Sequence, residues 1–227
     1  MNIRAWAETI PDEFYQWGSV NAYPRDASRY CAVLDTVQGM TTPSTMHLLN
    51  LAVQHLGPNE CYLEVGTWRG ATLIGALLGN DACGVAIDDD SMNEHDGDDL
   101  SSYEVWYDNV DRFGMGNGKV LYIDGTVPDA WQNINIHTHR PFGVYLFDGD
   151  KSTVEAAYAG LEGVLPFLAD EALIFVDDAN EIMIRLAAHK LERAYPDQVV
   201  KILDIPTPGN CWPCFWNGIM VLSFVRA

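Results

Sequence analysis

With 227 residues, 48% of them hydrophobic, the chain can bury one sizeable core, which favours a single domain carrying at most a small extension. Its 32 acidic against 13 basic residues give a formal charge of −19, a surface that repels phosphate backbones and argues against a nucleic-acid substrate. No apolar run approaches the ~20 residues of a membrane span, and the first residues (MNIRAWAETIPDEF) lack the basic and apolar regions of a secretory signal. Five cysteines without a framework spacing suit a reducing compartment. A soluble, cytoplasmic protein with no membrane partner is expected.

Residues 1–38 show no strand pattern. Trp6, Phe14, Tyr15 and Trp17 read as packing anchors of short helices lying across a larger domain, with a lid over a substrate as the alternative. Gly39-Met40-Thr41-Thr42-Pro43-Ser44 is a breaker with a helix-start signal. Met46, Leu48, Leu49, Leu51, Ala52 and Leu56 then supply an apolar face, and Gly57-Pro58 ends the helix. The short strand Cys61-Tyr62-Leu63 runs into Glu64-Val65-Gly66-Thr67-Trp68-Arg69-Gly70-Ala71-Thr72, after which Leu73 to Leu78 are apolar at helical spacing. Strand, glycine turn, helix is the first unit expected of a nucleotide-binding α/β fold. Gly66 permits a tight turn, and Gly70 permits close approach of a ligand or of the helix to the strand. Glu64 ends the strand, where a carboxylate can meet a ribose or an amine. The form E-x-G-x-x-x-G lacks the three glycines of the dinucleotide fingerprint, and a packing turn in some other α/β protein is the alternative.

Cys83 to Ile87 forms the next strand and ends in Asp88-Asp89-Asp90, with Asp88 placed to hold a ribose diol. Ser91 to Ser102 reads as a solvated loop in which no register matches a calcium loop. A helix over Tyr103–Phe113, a strand over Val120–Ile123 and the turn Asp124-Gly125-Thr126 follow. Residues 142–148 make a fourth strand, Ser152–Leu168 a helix with a 3.6-residue apolar stripe, and Ala172–Val176 a fifth strand ending in Asp177-Asp178. A helix over Ala179–Tyr195 precedes the strands Val199–Leu203 and Ile219–Val225, which have no helix between them. The alternation implies an α/β, Rossmann-like, doubly wound fold: a mostly parallel seven-stranded sheet with an antiparallel C-terminal edge. Its expected division is a helical extension over 1–38 and one domain over 39–227.

Two strand ends concentrate carboxylates, Asp148-Gly149-Asp150-Lys151 and Asp177-Asp178. Ligands of open α/β sheets bind at the carboxyl ends of strands, so both groups should face the place that holds Glu64 and Asp88. Acids converging there repel one another unless a cation lies between them, and hard oxygen ligands at that density suit Mg²⁺. Helix capping, by Asp148 or Asp150 ahead of Ser152 and by Asp178 ahead of Ile182, is the alternative; it accounts for one acid per strand end rather than two.

The E-x-G-x-x-x-G turn resembles motif I of the class I S-adenosylmethionine (SAM)-dependent methyltransferases. The run VYLFDGDKSTVEAAYAGLEGVLPFLADEALIFVDD resembles the macrocin-type O-methyltransferases that tailor cephalosporins and macrolides, whose pattern is an apolar strand, D-G-D-H-S-Y-E, a helix, then a strand ending in D-D. It is similar, more distantly, to the catechol and caffeoyl-coenzyme A O-methyltransferases. Together the two motifs cover residues 39–180. The resemblance implies SAM as cofactor, with Met40 and Thr41 at its methionine end, Glu64, Gly66 and Thr72 around its amino-acid part, Asp88 on the ribose, and Gly125 and Thr126 at the adenine. It implies Asp148, Asp177 and Asp178 as ligands of Mg²⁺ or another divalent ion, and Lys151, standing where the tailoring enzymes often have His, as general base. Charge balance alone is the other reading of Lys151. Ala169-Asp170-Glu171 replaces the family's P-G-G turn.

The implied reaction is in-line methyl transfer to the hydroxyl of a small molecule, whether sugar, catechol or polyketide; homo-oligomerisation is left open. A phenol near pKa ~10 is mostly protonated at neutral pH, so the metal would orient it and lower its pKa. Two competitors stand beside this: a glycosyltransferase using Asp148-Gly149-Asp150 to place a metal on a nucleotide diphosphate, and a non-catalytic SAM-binding protein. Cys211-Trp212-Pro213-Cys214 is either a redox pair, half a zinc site completed by His137 and His139, or an aromatic-rich turn whose Trp212, with Trp216, overhangs the substrate.

Overall fold

The computed structural model describes residues 1–91, 101–116 and 118–227; most of the solvated loop expected over Ser91–Ser102 lies outside the described residues. The chain begins with α1 (Ile3–Glu13), whose first turn is capped by Asn2 accepting from the Ala5 amide at 3.0 Å. Next come β1 (Phe14–Tyr15) and β2 (Tyr23–Pro24), paired antiparallel, and α2 (Ser28–Leu34). Two-residue strands are too short to show a period-2 pattern, which is why the sequence gives no sign of them. Trp6 and Phe14 are buried, Trp6 meeting Phe175 edge to face at 5.8 Å, and Trp17 packs on Phe14 at 5.1 Å. Tyr15 is no anchor: it is 53% exposed, with Arg25 over its ring.

The main sheet is built from β3 (Cys61–Val65), β4 (Cys83–Asp88), β5 (Val120–Asp124), β6 (Phe142–Phe147), β7 (Leu168–Asp177), β8 (Val199–Ile205) and β9 (Ile219–Val225), in the order β5-β4-β3-β6-β7-β9-β8. The five strands from β5 to β7 are parallel, whereas β9 runs antiparallel to both β7 and β8. Every residue of β3 and β6 is buried, as a sheet covered on both faces requires. On one face Tyr62, Val144, Leu146 and Phe175 pack under α1, α2, α3 (Pro43–Gln54), α4 (Ala71–Leu77) and α5 (Ser102–Arg112). On the other, Leu63, Val65, Tyr145, Phe147 and Ile174 pack under α6 (Val127–His137), α7 (Val154–Gly163) and α8 (Ile182–Ala194). Burying each large apolar side chain contributes roughly 1.5–3 kcal/mol. The doubly wound, seven-stranded arrangement expected from the sequence is the one observed.

Several boundaries differ from expectation for local reasons. The helix α6 is not anticipated from its polar sequence, although Pro128 in its first turn and Ala130, Trp131 and Ile134 on one side are its signals. The helix expected to reach Leu168 stops at Gly163, and a 3₁₀ turn over Leu165–Phe167 carries Pro166. Ala169-Asp170-Glu171 is no turn: it lies inside β7, which starts at Leu168 opposite Phe142. The start of α8 moves to Ile182 because the amides of Ala179 and Asn180 donate instead to the carbonyls of Gly218 and Asn217.

The cysteines correct the reading of five reduced thiols. Cys61 and Cys83 open adjacent parallel strands in register, with Cα atoms 5.1 Å apart, and they form a disulfide. Neighbouring strands bring together two residues whose separation of 22 in sequence gives no hint of pairing. Cys31, Cys211 and Cys214 are free.

Candidate active site

The strand order reverses direction between β3 and β6, and the loops leaving their carboxyl ends diverge to open a cleft there. The cleft holds about 590 Å³ and is lined from both halves of the sheet. Backbone geometry makes it. Gly66 turns the chain out of β3 at φ +81°, and a Cβ at that position would lie 2.2 Å from the carbonyl oxygen of Asp148. The amide of Asp148 in turn donates to the Val65 carbonyl at 3.0 Å. The two motifs identified in the sequence are therefore in direct backbone contact. Gly70, at φ +84°, opens α4 and lies against the Trp106 indole.

Met40, Gly66, Thr72, Asp88, Gly125, Thr126, Asp148 and Lys151 all line this cleft. Met40 is half exposed at its mouth, while Thr41, ahead of α3, is buried and does not line it. Both oxygens of Asp88 accept backbone amides, Oδ2 from Trp68 at 2.6 Å and Oδ1 from Asp90 at 2.9 Å. Each oxygen keeps a lone pair for a further donor. Burial moves the Asp88 pKa upward against those two hydrogen bonds. Thr67, Trp68 and Asp89 complete the wall beside Asp88; they lie in the same turns, so a reading of the loops rather than of their glycines and acids alone would have found them.

Glu64 does not line the cleft. It is 1% exposed behind the Gly66 turn and accepts from the Tyr62 hydroxyl at 2.5 Å. Residues two apart on a strand share a face, which sets Tyr62 and Glu64 side by side. Burial pushes the Glu64 pKa up to about 8, against the lowering pull of that hydroxyl.

The carboxylates at the ends of β6 and β7 meet through a lysine. The Lys151 ammonium donates to Asp148 Oδ1 and to Asp178 Oδ2 at once. Burial works against the charge on Lys151, but Asp148, Asp178 and Asp177 outweigh it and raise its pKa. Asp177 is 6% exposed, with Oδ1 accepting the Asp178 amide at 2.9 Å; burial, then Asp148 and Asp178, push its pKa well up. Asp148 is likewise raised by burial, with Lys151 opposing. Asp178 itself adopts φ +51°. Among the described residues no three Asp, Glu, His or Cys side chains are arranged to hold an ion together. Asp148 and Asp178 do converge on one point, with Asp177 adjoining, and a cationic group fills that point. The donor set is thus all hard oxygen around a position of positive charge, which suits a divalent ion if Lys151 moves aside.

Asp150, the last acid of Asp148-Gly149-Asp150, turns back to accept the Ser152 amide at 2.8 Å, and α7 is capped by Thr153 rather than by an aspartate. Around Cys211 to Cys214 the chain makes a tight turn in which Trp212 and Trp216 exchange backbone hydrogen bonds of 2.8 and 2.9 Å. The two cysteines are not bonded to each other, the side chain of His137 lies outside the described residues, and His139 lines a polar depression at the amino ends of the strands. Neither Trp212 nor Trp216 lines the cleft: the Trp212 indole donates to the Val20 carbonyl at 3.0 Å. That depression, about 670 Å³, lies near Arg140, Phe142 and Arg226, away from the carboxyl ends where α/β sheets bind ligands.

No family model matches the chain, and neither does any curated protein. Solved structures do. An O-methyltransferase from Bacillus cereus in complex with SAH aligns over 89% of this chain and 92% of its own, at 20% identity and a TM-score of 0.65. The fold is that of the class I methyltransferases. CalS11, a TDP-rhamnose 3'-O-methyltransferase of calicheamicin biosynthesis, aligns at 15% identity and TM-score 0.56 over 78% of this chain and 76% of its own. An rRNA methylase from Streptococcus thermophilus aligns at 12% identity and TM-score 0.55 over 81% and 97%. The methyltransferase fold thus serves acceptors of very different kinds, and the acceptor must be argued from the site.

Proposed function

We propose that the protein is a SAM-dependent O-methyltransferase that acts on the hydroxyl of a small molecule in the cytoplasm. The observation that carries the reading is the backbone contact between Gly66 and Asp148, which brings the glycine turn and the Asp148–Lys151 ion pair into the lining of one cleft. SAM would take the wall from Gly66 to Thr72, with Met40 at its methionine end and Thr41 buried behind Met40, Glu64 supporting the turn from behind, Asp88 toward the ribose and Gly125-Thr126 toward the adenine. The acceptor would enter over Lys151. The excess of acid over base disfavours an RNA acceptor here. Residues 1–38 serve as an extension anchored on the 39–227 catalytic unit through Trp6 and Phe14.

Asp148, Asp177 and Asp178 would hold the divalent ion, most simply Mg²⁺, and its chemistry when bound is to orient the hydroxyl and lower its pKa. Lys151, pinned between two carboxylates, keeps its proton; it can accept one only once those carboxylates turn to another cation. Most of the acceleration then comes from holding the acceptor oxygen in line with the methyl group.

Two observations count against a glycosyltransferase: Asp150 is taken up by its own turn, and the cleft is walled by the Gly66 turn, which that chemistry does not use. Calorimetry with SAH, and methyl transfer to a panel of sugars and phenols with Mg²⁺ or EDTA, test the proposal. It requires SAH binding that Glu64→Ala weakens. No SAH binding by the wild-type protein, or binding of a nucleotide sugar in its place, overturns it.

A further inference from the structure

The disulfide at the amino ends of β3 and β4 lies at the opposite end of those strands from the cleft, and the reaction proposed above makes no use of it. Its two sulfurs are unequal. Cys61 is 2% exposed inside the core beneath α6 to α8, whereas Cys83 is half-buried and opens on a groove of about 250 Å³. Arg140, another lining residue of that groove, directs Nη1 at Cys83 Sγ from 3.4 Å. Glu60 and Asp81 line it as well, but the Glu60 carboxylate is already engaged by the Gly57 amide at 2.7 Å and the Met1 amino group at 2.6 Å. A guanidinium against an accessible sulfur favours the thiolate, the form that attacks disulfides. A buried partner in register beside it is what converts a mixed disulfide into an internal one.

We infer that Cys83 is a reactive thiol, Cys61 its resolving partner, and the groove beside Arg140 the place where a low-molecular-weight disulfide reacts with them. In the reduced protein the Cys83 thiolate attacks one sulfur of the small disulfide, forming a mixed disulfide and expelling one small thiolate. Cys61 then attacks Cys83 Sγ, its proton passes to solvent, and the second small thiolate leaves. The two protein thiols lose two electrons, and the small disulfide gains them as two thiols. This assignment is independent of the methyltransferase reading. It also reconciles a disulfide with a cytoplasmic protein, where such bonds are usually transient and redox-sensing.

Oxidised glutathione is the probe. The reduced protein, carrying Cys211→Ser to remove the exposed thiol, is mixed with it at pH 7 and followed by peptide mass spectrometry. The wild-type pair should close to the Cys61–Cys83 disulfide. Cys61→Ser should accumulate glutathione on Cys83, and Cys83→Ser should leave Cys61 unmodified. Adding Arg140→Gln to Cys61→Ser should slow the adduct about tenfold. A measurement without core variants accompanies these: in the reduced wild-type pair, iodoacetamide should label Cys83 well before Cys61. Labelling of Cys61 first, an adduct that avoids Cys83, or an adduct rate indifferent to Arg140 would each overturn the assignment.

Discussion

Replacing Gly66 with alanine should damage the protein through two separable costs. The first is conformational: φ +81° is the left-handed region, where a residue with a Cβ loses about 1–2 kcal/mol. The second is steric. The new Cβ would stand 2.2 Å from the Asp148 carbonyl oxygen and 2.7 Å from its carbon, both backbone atoms that cannot rotate away. Ordinary contact begins near 3.4 Å, so the ends of β3 and β6 must part by about 1.2 Å, a backbone shift that costs about 1–3 kcal/mol. The expected total is about 2–5 kcal/mol. Gly114→Ala supplies the control, since Gly114 has φ +71° with nothing within 4 Å, and it should show the conformational cost alone. Urea unfolding of both variants, compared by midpoint at constant slope, measures the difference. SAH calorimetry on the folded Gly66 variant then reads the displaced turn. If Gly66→Ala is no less stable than Gly114→Ala, the close backbone contact between the Gly66 turn and Asp148 does not exist.

Lys151→Met removes the charge that joins Asp148 to Asp178; with these side chains 20% to 31% exposed, it should cost about 1–3 kcal/mol without metal, and Mg²⁺ should recover more stability in the variant than in the wild type. Should saturating Mg²⁺ also restore kcat, Lys151 balances charge and is not the base. Glu64, raised to about 8 from 4.5, takes up protons on folding, so its contribution is present below pH 4.5 and is lost as pH rises toward 8. Glu64→Gln should therefore gain stability relative to wild type across that window, by a few kcal/mol at most, and a constant difference between pH 5 and 9 would show that Glu64 is ionised throughout. Asn50→Leu strips the Nδ2 donor shared by the carbonyls of Gly75, Ala76 and Leu78 at the end of α4, and thermal unfolding should report a loss of about 2–4 kcal/mol; a loss under 1 kcal/mol would mean that those carbonyls find other partners.

What the sequence made legible was set by how local each cause is. Gly66 and the acids at strand ends are local: a turn needs its glycine, and a strand ends where its apolar run ends, so the positions around one cleft could be named before any coordinates. Lys151 was legible as a residue but not in its present state, because the second of its two salt bridges is to Asp178, 27 positions away at the end of the neighbouring strand. The Cys61–Cys83 bond escaped for the same reason, since only sheet register brings the two sulfurs together. The seclusion of Glu64 followed from Tyr62 and the packing above it, neither of which a motif encodes. Turn chemistry misled at Ala169-Asp170-Glu171, where pairing with neighbouring strands extended β7 through three residues of poor strand propensity.

The position of β9 has a consequence for synthesis. It follows β8 in sequence yet lies between β7 and β8 in the sheet, so β8 has no partner until β9 has emerged. Until then β7 presents a bare edge whose Leu173, Ile174, Phe175 and Val176 are all fully buried in the finished protein. An unpaired apolar edge of this kind invites strand addition from other chains. The vulnerable interval runs from the exit of Asp177 to that of Val225, and at ribosomal rates of about 5–20 residues per second it lasts for seconds. Slow codons between α8 and β9 would lengthen it, and a nascent chain stalled there should be a preferred client for chaperones that shield strand edges.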